Sequence, residues 1–399
     1  MLSLDEALAR LLARARPTPA EVVPLAEATG RTLVEPRLTA SVDVPPFANS
    51  AMDGFALQAA DTPGELRVVG EVSAGTGELP LVGRGAAVRI MTGAPMPPGA
   101  DAVVPIERAE ESDGVVRIGE RAPVGAHIRE AGHDTRAGDV INIAGSLTPA
   151  AIAVLGSLGI GAVEVRRRPV VAIMSTGDEL RAPGEPLAPG QIFDANTPAL
   201  AAAVVEAGGV PLIMPRQADD PDSIEAALRD AARRTDLVVT SGGVSVGRHD
   251  HVRAVLTGRG SLDFWRIAVQ PGKPLAVGEL NGTLVVGLPG NPVSALVTCE
   301  LFVRPLVRAM LGLAGDGRLH IRATLDGRVD KDPGRRAFIR AVVWTDAGNI
   351  RARAAGGQRS SELRPMANAN ALLVIPEGQE AGEEGEAYEA IVLREISVA

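Results

Sequence analysis

The sequence predicts a multidomain α/β plus β protein, in which an α/β domain with a mostly parallel sheet is flanked by β-rich modules. Between about 169 and 313, apolar runs without alternation are joined by helical patterns, which is typical of parallel strands covered on both faces. On either side of that region, Gly, Pro and Asp turns separate short apolar runs, which favours small β modules. At roughly 150 residues per domain, a length of 399 residues leaves room for two to four domains.

These composition changes divide the chain into four predicted domains. A helical linking domain is discontinuous and covers 1–40 and 138–168, and a β-rich module is inserted at 41–137. The α/β domain covers 169–315, and a small β-barrel-like domain covers 316–399.

Local patterns place helices and strands within these domains. Ser3 and Glu6 have the spacing of a capping box, which predicts a helix over 3–15. Asn281-Gly282 lies between two strand patterns and predicts a hairpin turn. In the α/β domain we expect strands at 170–174, 210–214, 237–240 and 283–287, and helices at 197–207, 223–234 and 292–311.

The composition excludes several classes of function. A net charge of -9 and few aromatic residues (Trp 2, Tyr 1, Phe 6) disfavour a nucleic-acid partner. A single cysteine, Cys299, excludes an intrachain disulfide and lies in an apolar helical pattern, where we expect a core thiol. No apolar run reaches about 18 residues and no secretory pattern is present, so we expect no membrane partner and a soluble protein of the cytoplasm.

Three loops follow predicted strands of the α/β domain and are rich in glycine and hydroxyl side chains. Because the carboxyl ends of parallel strands meet at one edge of a sheet, these loops are expected to lie together. Glycine-rich turns let backbone amides approach an anion, so the three loops predict a phosphate or oxyanion site. The candidate binding residues are Ser175, Thr176, Gly177, Ser241, Gly242, Gly243, Pro289, Gly290, Asn291, Pro292 and Ser294.

Acidic side chains accompany these loops. Asp194, Asp219, Asp220 and Asp250 are candidates for binding Mg²⁺, which takes few protein oxygens and keeps waters for substrate phosphates. The alternative is helix capping, which we prefer for Asp219; for Asp220 and Asp250 both interpretations stay open. Lys273 is one of only two lysines in the chain, so it is either a point charge that faces an anion or a solvated loop residue.

Several longer motifs occur in a fixed order: Pro45–Ala56, Arg89–Ala94, Ser175–Leu180, Ser241–Gly247, Pro271–Pro274 and Gly287–Ala295. Together they resemble the molybdopterin molybdenumtransferases, the MoeA family that includes the gephyrin E domain. The similarity extends from about residue 3 to the C-terminus. The resemblance implies a homodimer with four domains, among them a MogA-like α/β domain similar to the molybdopterin adenylyltransferases.

The resemblance also implies a reaction. Members of the family take adenylylated molybdopterin and molybdate, use a divalent cation such as Mg²⁺, release AMP and place molybdenum on the dithiolene. A molybdopterin adenylyltransferase and molybdoenzymes are the implied partners. Two alternatives remain: a molybdopterin adenylyltransferase and a non-catalytic dimeric scaffold. The choice between molybdate and tungstate also stays open.

Motif by motif, the resemblance implies roles for individual residues. Glu179, Asp220 and Asp250 are the expected acidic residues at the cation and the adenylate. The residues expected around molybdate are Lys273, Ser294, Arg340 and Ser360. Those expected to face the α/β domain of a neighbouring chain are Asp53, Thr92 and Asp134.

The chain departs from the family pattern at a few positions. His133 stands where a glutamate is usual, and Gln270 and Arg266 stand where lysines are common. Arg359 adds a bulky cation beside Ser360. These differences concern the molybdate pocket above all.

Overall fold

The computed structural model describes residues 1–75, 77–243 and 251–398. The chain forms two compact units: one combines Met1–Glu21 with Val165–Ala399, and the other is Val22–Glu164. In the described part of the chain, no helix is both long and apolar enough to cross a membrane.

The chain begins with helix α1 (Leu4–Leu12), which the capping box predicted. The Ser3 hydroxyl accepts a hydrogen bond from Glu6 N at 3.2 Å, and Leu4, Ala7 and Leu11 are buried on one face. Strand β1 (Ala20–Pro24) follows and contains the point where the chain leaves the first unit.

The Val22–Glu164 unit is mainly β. Six of its strands form one sheet in the order β7-β4-β6-β5-β9-β8, in which only the β5–β6 pair is parallel. Helix α2 begins after Thr148, whose hydroxyl accepts from Ala151 N, and Pro149 occupies its first position. The elements are β2 (Arg37–Thr39), β3 (Asn49–Ser50), β4 (Gly54–Leu57), β5 (Gly64–Val72), β6 (Ala86–Ile90), β7 (Ala102–Pro105), β8 (Ala109–Ser112), β9 (Val115–Ile118), β10 (Ile128–Arg129), β11 (Val140–Asn142), α2 (Pro149–Ser157) and β12 (Ala162–Arg166).

The α/β domain follows from Val170 onward. Its elements are β13 (Val170–Ser175), β14 (Leu180–Arg181), β15 (Ile192–Phe193), α3 (Asn196–Ala207), β16 (Val210–Ile213), α4 (Pro221–Arg234), β17 (Leu237–Ser241), α5 (His251–Arg259), β18 (Ser261–Arg266), β19 (Val269–Gln270), β20 (Pro274–Leu280), β21 (Thr283–Leu288), α6 (Pro292–Thr298) and α7 (Arg304–Met310). The six-stranded sheet has the order β16-β13-β17-β21-β20-β18.

This sheet confirms the predicted α/β class. Its first four strands are parallel, and alternate residues enter different cores: Ile173 packs in one cluster and Met174 in another. Both faces are therefore buried, which explains the apolar runs without alternation. The last two strands of the order, β20 and β18, add antiparallel pairs, and Asn281 (φ 53°) and Gly282 (φ 83°) form the predicted hairpin turn between β20 and β21.

The long helix predicted over 292–311 is interrupted. A π-helical turn, Cys299–Val303, separates α6 from α7. Pro305 lacks the backbone N–H that would continue the ladder, which explains a change of helical geometry one turn earlier. Cys299 is buried, and burial raises the pKa of its thiol to about 12. The core position predicted for this thiol is confirmed.

The last part of the chain is a closed barrel. Strands β24, β25, β22, β28 and β26 pair in that order, and β26 pairs back with β24. This five-stranded closure confirms the predicted barrel-like C-terminal region. The elements are β22 (Leu319–Asp326), β23 (Val329–Asp330), β24 (Arg336–Asp346), β25 (Asn349–Ala354), α8 (Leu363–Asn368), β26 (Ala371–Ile375), β27 (Ala381–Gly382), β28 (Ala387–Val392) and β29 (Ser397–Val398).

Charged side chains connect the α/β domain to the barrel. Arg318 donates to Glu300 at 2.6 Å. The ring of His320 lies between two carboxylates, 2.8 Å from Asp316 and 2.6 Å from Glu389. Burial opposes the charged imidazole, but the hydrogen bonds to Glu389 and Asp316 outweigh it and raise the pKa of His320.

Candidate active site

A cavity of about 630 Å³ lies at the carboxyl ends of the parallel strands β13, β17 and β21. Ser175 pairs with Ser241, and Ser241 pairs with Leu288, so the three strands end at the same level. The loops that follow them therefore meet, as expected for an open α/β sheet. The predicted residues that line the cavity are Thr176, Gly177, Glu179, Ser241, Gly242, Gly243, Pro289, Gly290, Asn291 and Pro292.

Glycine is required where these loops approach one another. Gly242 has a φ of 90°, and a Cβ built on it would lie 3.0 Å from the carbonyl oxygen of Thr176. Gly177 has a φ of 147°, a backbone conformation that residues with a side chain rarely adopt. The backbone N–H of Gly242 donates to Leu288 O at 3.2 Å, so this amide holds the loop after β17 against the end of β21.

The two hydroxyl residues after β13 have different environments. Ser175 is buried and its hydroxyl donates to Asp194 at 2.6 Å, so this residue supports the site without lining the cavity. Thr176 does line the cavity, but its hydroxyl is buried and has no hydrogen-bond partner among the described residues.

The structure distinguishes the two aspartates that precede α4. The carboxylate of Asp220 caps the helix and accepts from Ser223 N at 2.8 Å. Asp219 lines the cavity, and its backbone N donates to Asp178 at 3.3 Å. The preference for Asp219 as the cap is therefore wrong: Pro221 occupies the first helical position, which makes the residue directly before it the cap.

The acidic residues near the cavity form a small oxygen-rich set. Glu179, Asp194 and Asp219 line the cavity. The predicted ligand Asp250 lies outside the described residues. Within 1–75, 77–243 and 251–398, no group of three or more His, Cys, Asp or Glu side chains is arranged to hold a metal ion.

A loop of the barrel, residues 356–362, also reaches this edge of the α/β domain. Ser360 accepts a hydrogen bond from the Asn291 side chain at 2.9 Å, and Ser361 lines the cavity. Arg340 is 1% exposed and donates to the carbonyl oxygens of Gly357 and Arg359, both at 3.1 Å. Burial lowers the pKa of Arg340, whose Nε has no partner among the described residues.

The other predicted residues of the α/β domain lie beside the cavity without lining it. The side chain of Lys273 is exposed, whereas Ser294 is buried in α6. A Cβ on Gly272 (φ 118°) would lie 2.4 Å from the Thr298 side chain, so the loop that carries Lys273 packs tightly against α6.

The remaining predicted residues lie in the Val22–Glu164 unit. Asp53 accepts two hydrogen bonds from Thr92, from its hydroxyl and from its backbone N, both at 2.6 Å. These bonds, that from the hydroxyl first, lower the pKa of Asp53. Asp134 is exposed, and its backbone N donates to Val44 O at 2.9 Å. That these residues face a neighbouring chain stays a prediction.

A second cavity, of about 460 Å³, lies beside β7, β8 and β9 in the same unit. None of the predicted site residues lines it, and two of its charged side chains, Arg108 and Glu120, pair with each other. The cavity at the strand ends is therefore the candidate active site.

Sequence reasoning missed several residues that line this cavity. Ile192 and Phe193 form an apolar part of its wall, and Asn196 lies at the start of α3. Asp194 appeared only as an acidic candidate, yet its carboxylate also accepts from the backbone N–H groups of Asn196 and Thr197. The Asp-x-Asn-Thr pattern before a helix was the available signal, since Asp side chains often bind the first amides of a helix.

Comparisons with known proteins agree with this architecture. The chain matches the MoeA N-terminal region (domain I and II) over residues 2–159, a probable molybdopterin binding domain over 172–309 and the MoeA C-terminal region (domain IV) over 322–393.

Proteins that match most of this chain are named molybdopterin molybdenumtransferases. "Molybdopterin molybdenumtransferase 2" from Mycobacterium tuberculosis is 40% identical over 89% of this chain and 90% of its own. The molybdopterin molybdenumtransferase of Bacillus subtilis is 35% identical over 99% and 94%. Two structures of the molybdopterin biosynthesis MoeA protein from Pyrococcus horikoshii are also similar. The first has a TM-score of 0.84 at 33% identity and covers 99% of this chain and 100% of its own. The second has a TM-score of 0.82 at 30% identity and covers 98% of this chain and 100% of its own. The chain therefore belongs to the MoeA family of molybdopterin molybdenumtransferases.

Proposed function

We propose that the chain inserts molybdate into adenylylated molybdopterin, with Mg²⁺ as the cation and AMP as a product. The observation that carries this proposal is the cavity at the strand ends, which is lined by three tight loops and by the acidic residues Glu179 and Asp219. A cavity of about 630 Å³ is within the usual range for small-molecule and cofactor sites. The names of the relatives supply the reaction class.

The residues at the cavity fit a magnesium ion. Glu179 and Asp219 offer only carboxylate oxygens, and Mg²⁺ binds through few protein oxygens while it keeps water and phosphate ligands. When bound, the ion supplies positive charge that stabilises the phosphates during transfer. We assign Asp219 to this role in place of Asp220, whose carboxylate caps α4. Asp250 remains the further predicted ligand.

The chain's own contribution is positioning. Cleavage of a phosphoanhydride needs little covalent help, so no side-chain nucleophile is required. Asn291 lines the cavity, and its side-chain amide has N–H donors that suit phosphate oxygens. Hydrolysis at the adenylate consumes one water, breaks the phosphoanhydride bond and gives AMP and the phosphate group of the pterin.

The molybdate end is proposed beside Lys273, Ser294, Arg340 and Ser360. Molybdate is a tetrahedral dianion, which cations and hydroxyl donors bind well. Lys273 is exposed, so we assign it the first contact with the oxyanion. Arg340 holds the loop that carries Ser360 through two carbonyl oxygens, so it also determines where that hydroxyl lies.

The proposal includes a second copy of the chain. Asp53, Thr92 and Asp134 are assigned to the site of a neighbouring subunit, which requires a homodimer. Light scattering of the purified protein measures this directly, and a strict monomer would remove these three residues from the site. A molybdopterin adenylyltransferase is the proposed source of substrate, and molybdoenzymes are the proposed recipients.

Two neighbouring aspartates provide a matched test. The purified protein is incubated with adenylylated molybdopterin, molybdate and Mg²⁺, and released AMP is quantified by chromatography. Asp219→Asn removes a cavity carboxylate and should abolish AMP release. Asp220→Asn keeps a good helix cap and should leave AMP release close to that of the wild type. The reverse pattern would return the catalytic role to Asp220.

The same assay separates the alternatives. No AMP release by the wild-type protein contradicts molybdenum insertion. Consumption of ATP with molybdopterin would indicate an adenylyltransferase instead. Absence of both activities in a dimeric protein would favour a scaffold.

A further inference from the structure

One short segment contacts the last residues of β13 and β17 and the loop that follows β21. The Ser175 hydroxyl at the end of β13 donates to Asp194 at 2.6 Å. The side-chain amide of Asn196 donates to the Ser241 hydroxyl at 2.7 Å and to the Gly290 carbonyl at 2.8 Å. The segment 194–196 thus joins the ends of β13, β17 and β21 at the wall of the cavity.

The position of Asn196 is itself fixed by a buried carboxylate. Asp194 is 8% exposed and accepts from the backbone N–H groups of Asn196 (3.1 Å) and Thr197 (3.0 Å). The Thr197 hydroxyl donates to the same carboxylate at 2.7 Å. All of these donors lie at the start of α3. The backbone that carries Asn196 is therefore held in place by local hydrogen bonds, and these do not involve the loops of Ser241 and Gly290.

The chemistry of an amide side chain fits this position. Asn carries two N–H donors on one nitrogen, and here that nitrogen faces two acceptors on different loops. A hydroxyl residue offers one donor, and an ionised carboxylate offers none. Gly290 and Gly242 are close neighbours: a Cβ on Gly290 would lie 3.7 Å from the Gly242 Cα. A small change in the separation of the two loops therefore changes the cavity.

We propose that Asn196 is a positioning residue, which holds the loop 241–243 and the loop 289–291 at the separation that the nucleotide end of the substrate needs. This inference rests on the proposed function, because it takes the cavity to bind an adenylate. It concerns the arrangement of the loops, and no bond to substrate is assigned to Asn196.

The test compares Asn196→Ala and Asn196→Asp with Asn349→Ala, an exposed asparagine of the barrel, in the full-length protein. Two measurements are made: amide hydrogen exchange of the loops 241–243 and 289–291, and AMP affinity by calorimetry. In Asn196→Ala we expect faster exchange in both loops and AMP binding weakened about tenfold, which corresponds to one or two lost neutral hydrogen bonds. Asn349→Ala should match the wild type.

The pH dependence separates positioning from general loss of structure. At pH 8 the carboxylate introduced by Asn196→Asp cannot donate, so AMP binding should be as weak as in Asn196→Ala. Near pH 4, about the ordinary pKa of an aspartic acid side chain, roughly half of the introduced carboxyls are protonated and regain one donor, so part of the affinity should return relative to the wild type at the same pH. Asn196→Ala has no group that could be rescued in this way.

Each outcome decides the inference. Unchanged exchange in Asn196→Ala shows that the two hydrogen bonds do not hold the loops, and faster exchange with unchanged AMP affinity shows that they do not serve the site; both overturn the proposal. A wild-type protein that fails to bind AMP overturns it as well. If the wild type binds AMP but releases none from adenylylated molybdopterin, the proposed function fails while the positioning role stands.

Discussion

Replacing Gly242 by alanine tests whether loop geometry at the cavity limits both stability and binding. The residue has a φ of 90°, which costs an L-residue about 1–2 kcal/mol. The new Cβ would lie 3.0 Å from the carbonyl oxygen and 3.1 Å from the hydroxyl of Thr176, and relief of such overpacking typically costs about 1–3 kcal/mol. Gly242→Ala should therefore destabilise the protein by about 2–5 kcal/mol.

Gly258 provides a control with the opposite expected sign. It lies in α5, has no positive φ, and a Cβ there would meet nothing within 4 Å. Alanine at this helical position should stabilise the protein by about 0.5–1 kcal/mol, because glycine loses more backbone entropy on folding.

Urea unfolding followed by circular dichroism measures both changes. The urea concentration at the unfolding midpoint should fall for Gly242→Ala and rise slightly for Gly258→Ala. The dependence of the unfolding free energy on urea concentration should be the same in both variants. AMP affinity should fall only for Gly242→Ala, since the shifted loop 241–243 lines the cavity. Equal midpoints for the two variants would refute the argument from positive φ and close contact.

Three further results are expected from single residues. The buried thiol of Cys299, with a pKa of about 12, should resist a thiol reagent at pH 8 in the folded protein and react fully after unfolding; rapid labelling of the native chain would contradict its burial. The pKa of His320 is raised in the folded protein. The stabilisation that the charged imidazole provides is therefore present below the unfolded-state pKa and is lost as the pH rises through the folded-state pKa. His320→Gln should accordingly lower the melting temperature more at pH 6 than at pH 9. The effect should be about 1 kcal/mol or less, since the pair is partly exposed and screened, and equal losses at both pH values would count against it. If the Phe193 ring stacks on a base, Phe193→Ala should weaken AMP binding about tenfold. Leu187 is also exposed but lies outside the cavity wall, so Leu187→Ala should leave AMP binding unchanged. Unchanged affinity in Phe193→Ala would exclude stacking.

The sheet could be predicted because its signals are local. The apolar run 170–174 has side chains in two cores, and that burial on both faces is visible as missing alternation. Asn281-Gly282 predicted its turn for the same reason: two adjacent residues with positive φ suffice to define it. The π-helical turn at Cys299–Val303 was missed, although Pro305 marked a break in the helical ladder.

The site was harder to predict because its contacts join residues that are far apart in the sequence. Spacing alone left Asp220 open between a helix cap and a ligand, and it favoured Asp219 as the cap; Pro221 at the first helical position could have decided the cap. Asn196 bonds to residues 45 and 94 positions away, and no periodicity reports such contacts. Glycine-rich loops were found because each follows a strand, which is again a local signal.

Gln270 makes a contact that bears on the proposed oxyanion site. Its side-chain oxygen accepts a hydrogen bond from Asp332 N at 2.7 Å, and a lysine, which has no acceptor, could not make this contact. The loop 270–273 is thus bonded to the barrel through Gln270 and pressed against α6 through Gly272. Gln270 thus provides a contact that fixes the loop, and Lys273 is the lysine that the loop carries. The position of that single charge therefore depends on both the α/β domain and the barrel.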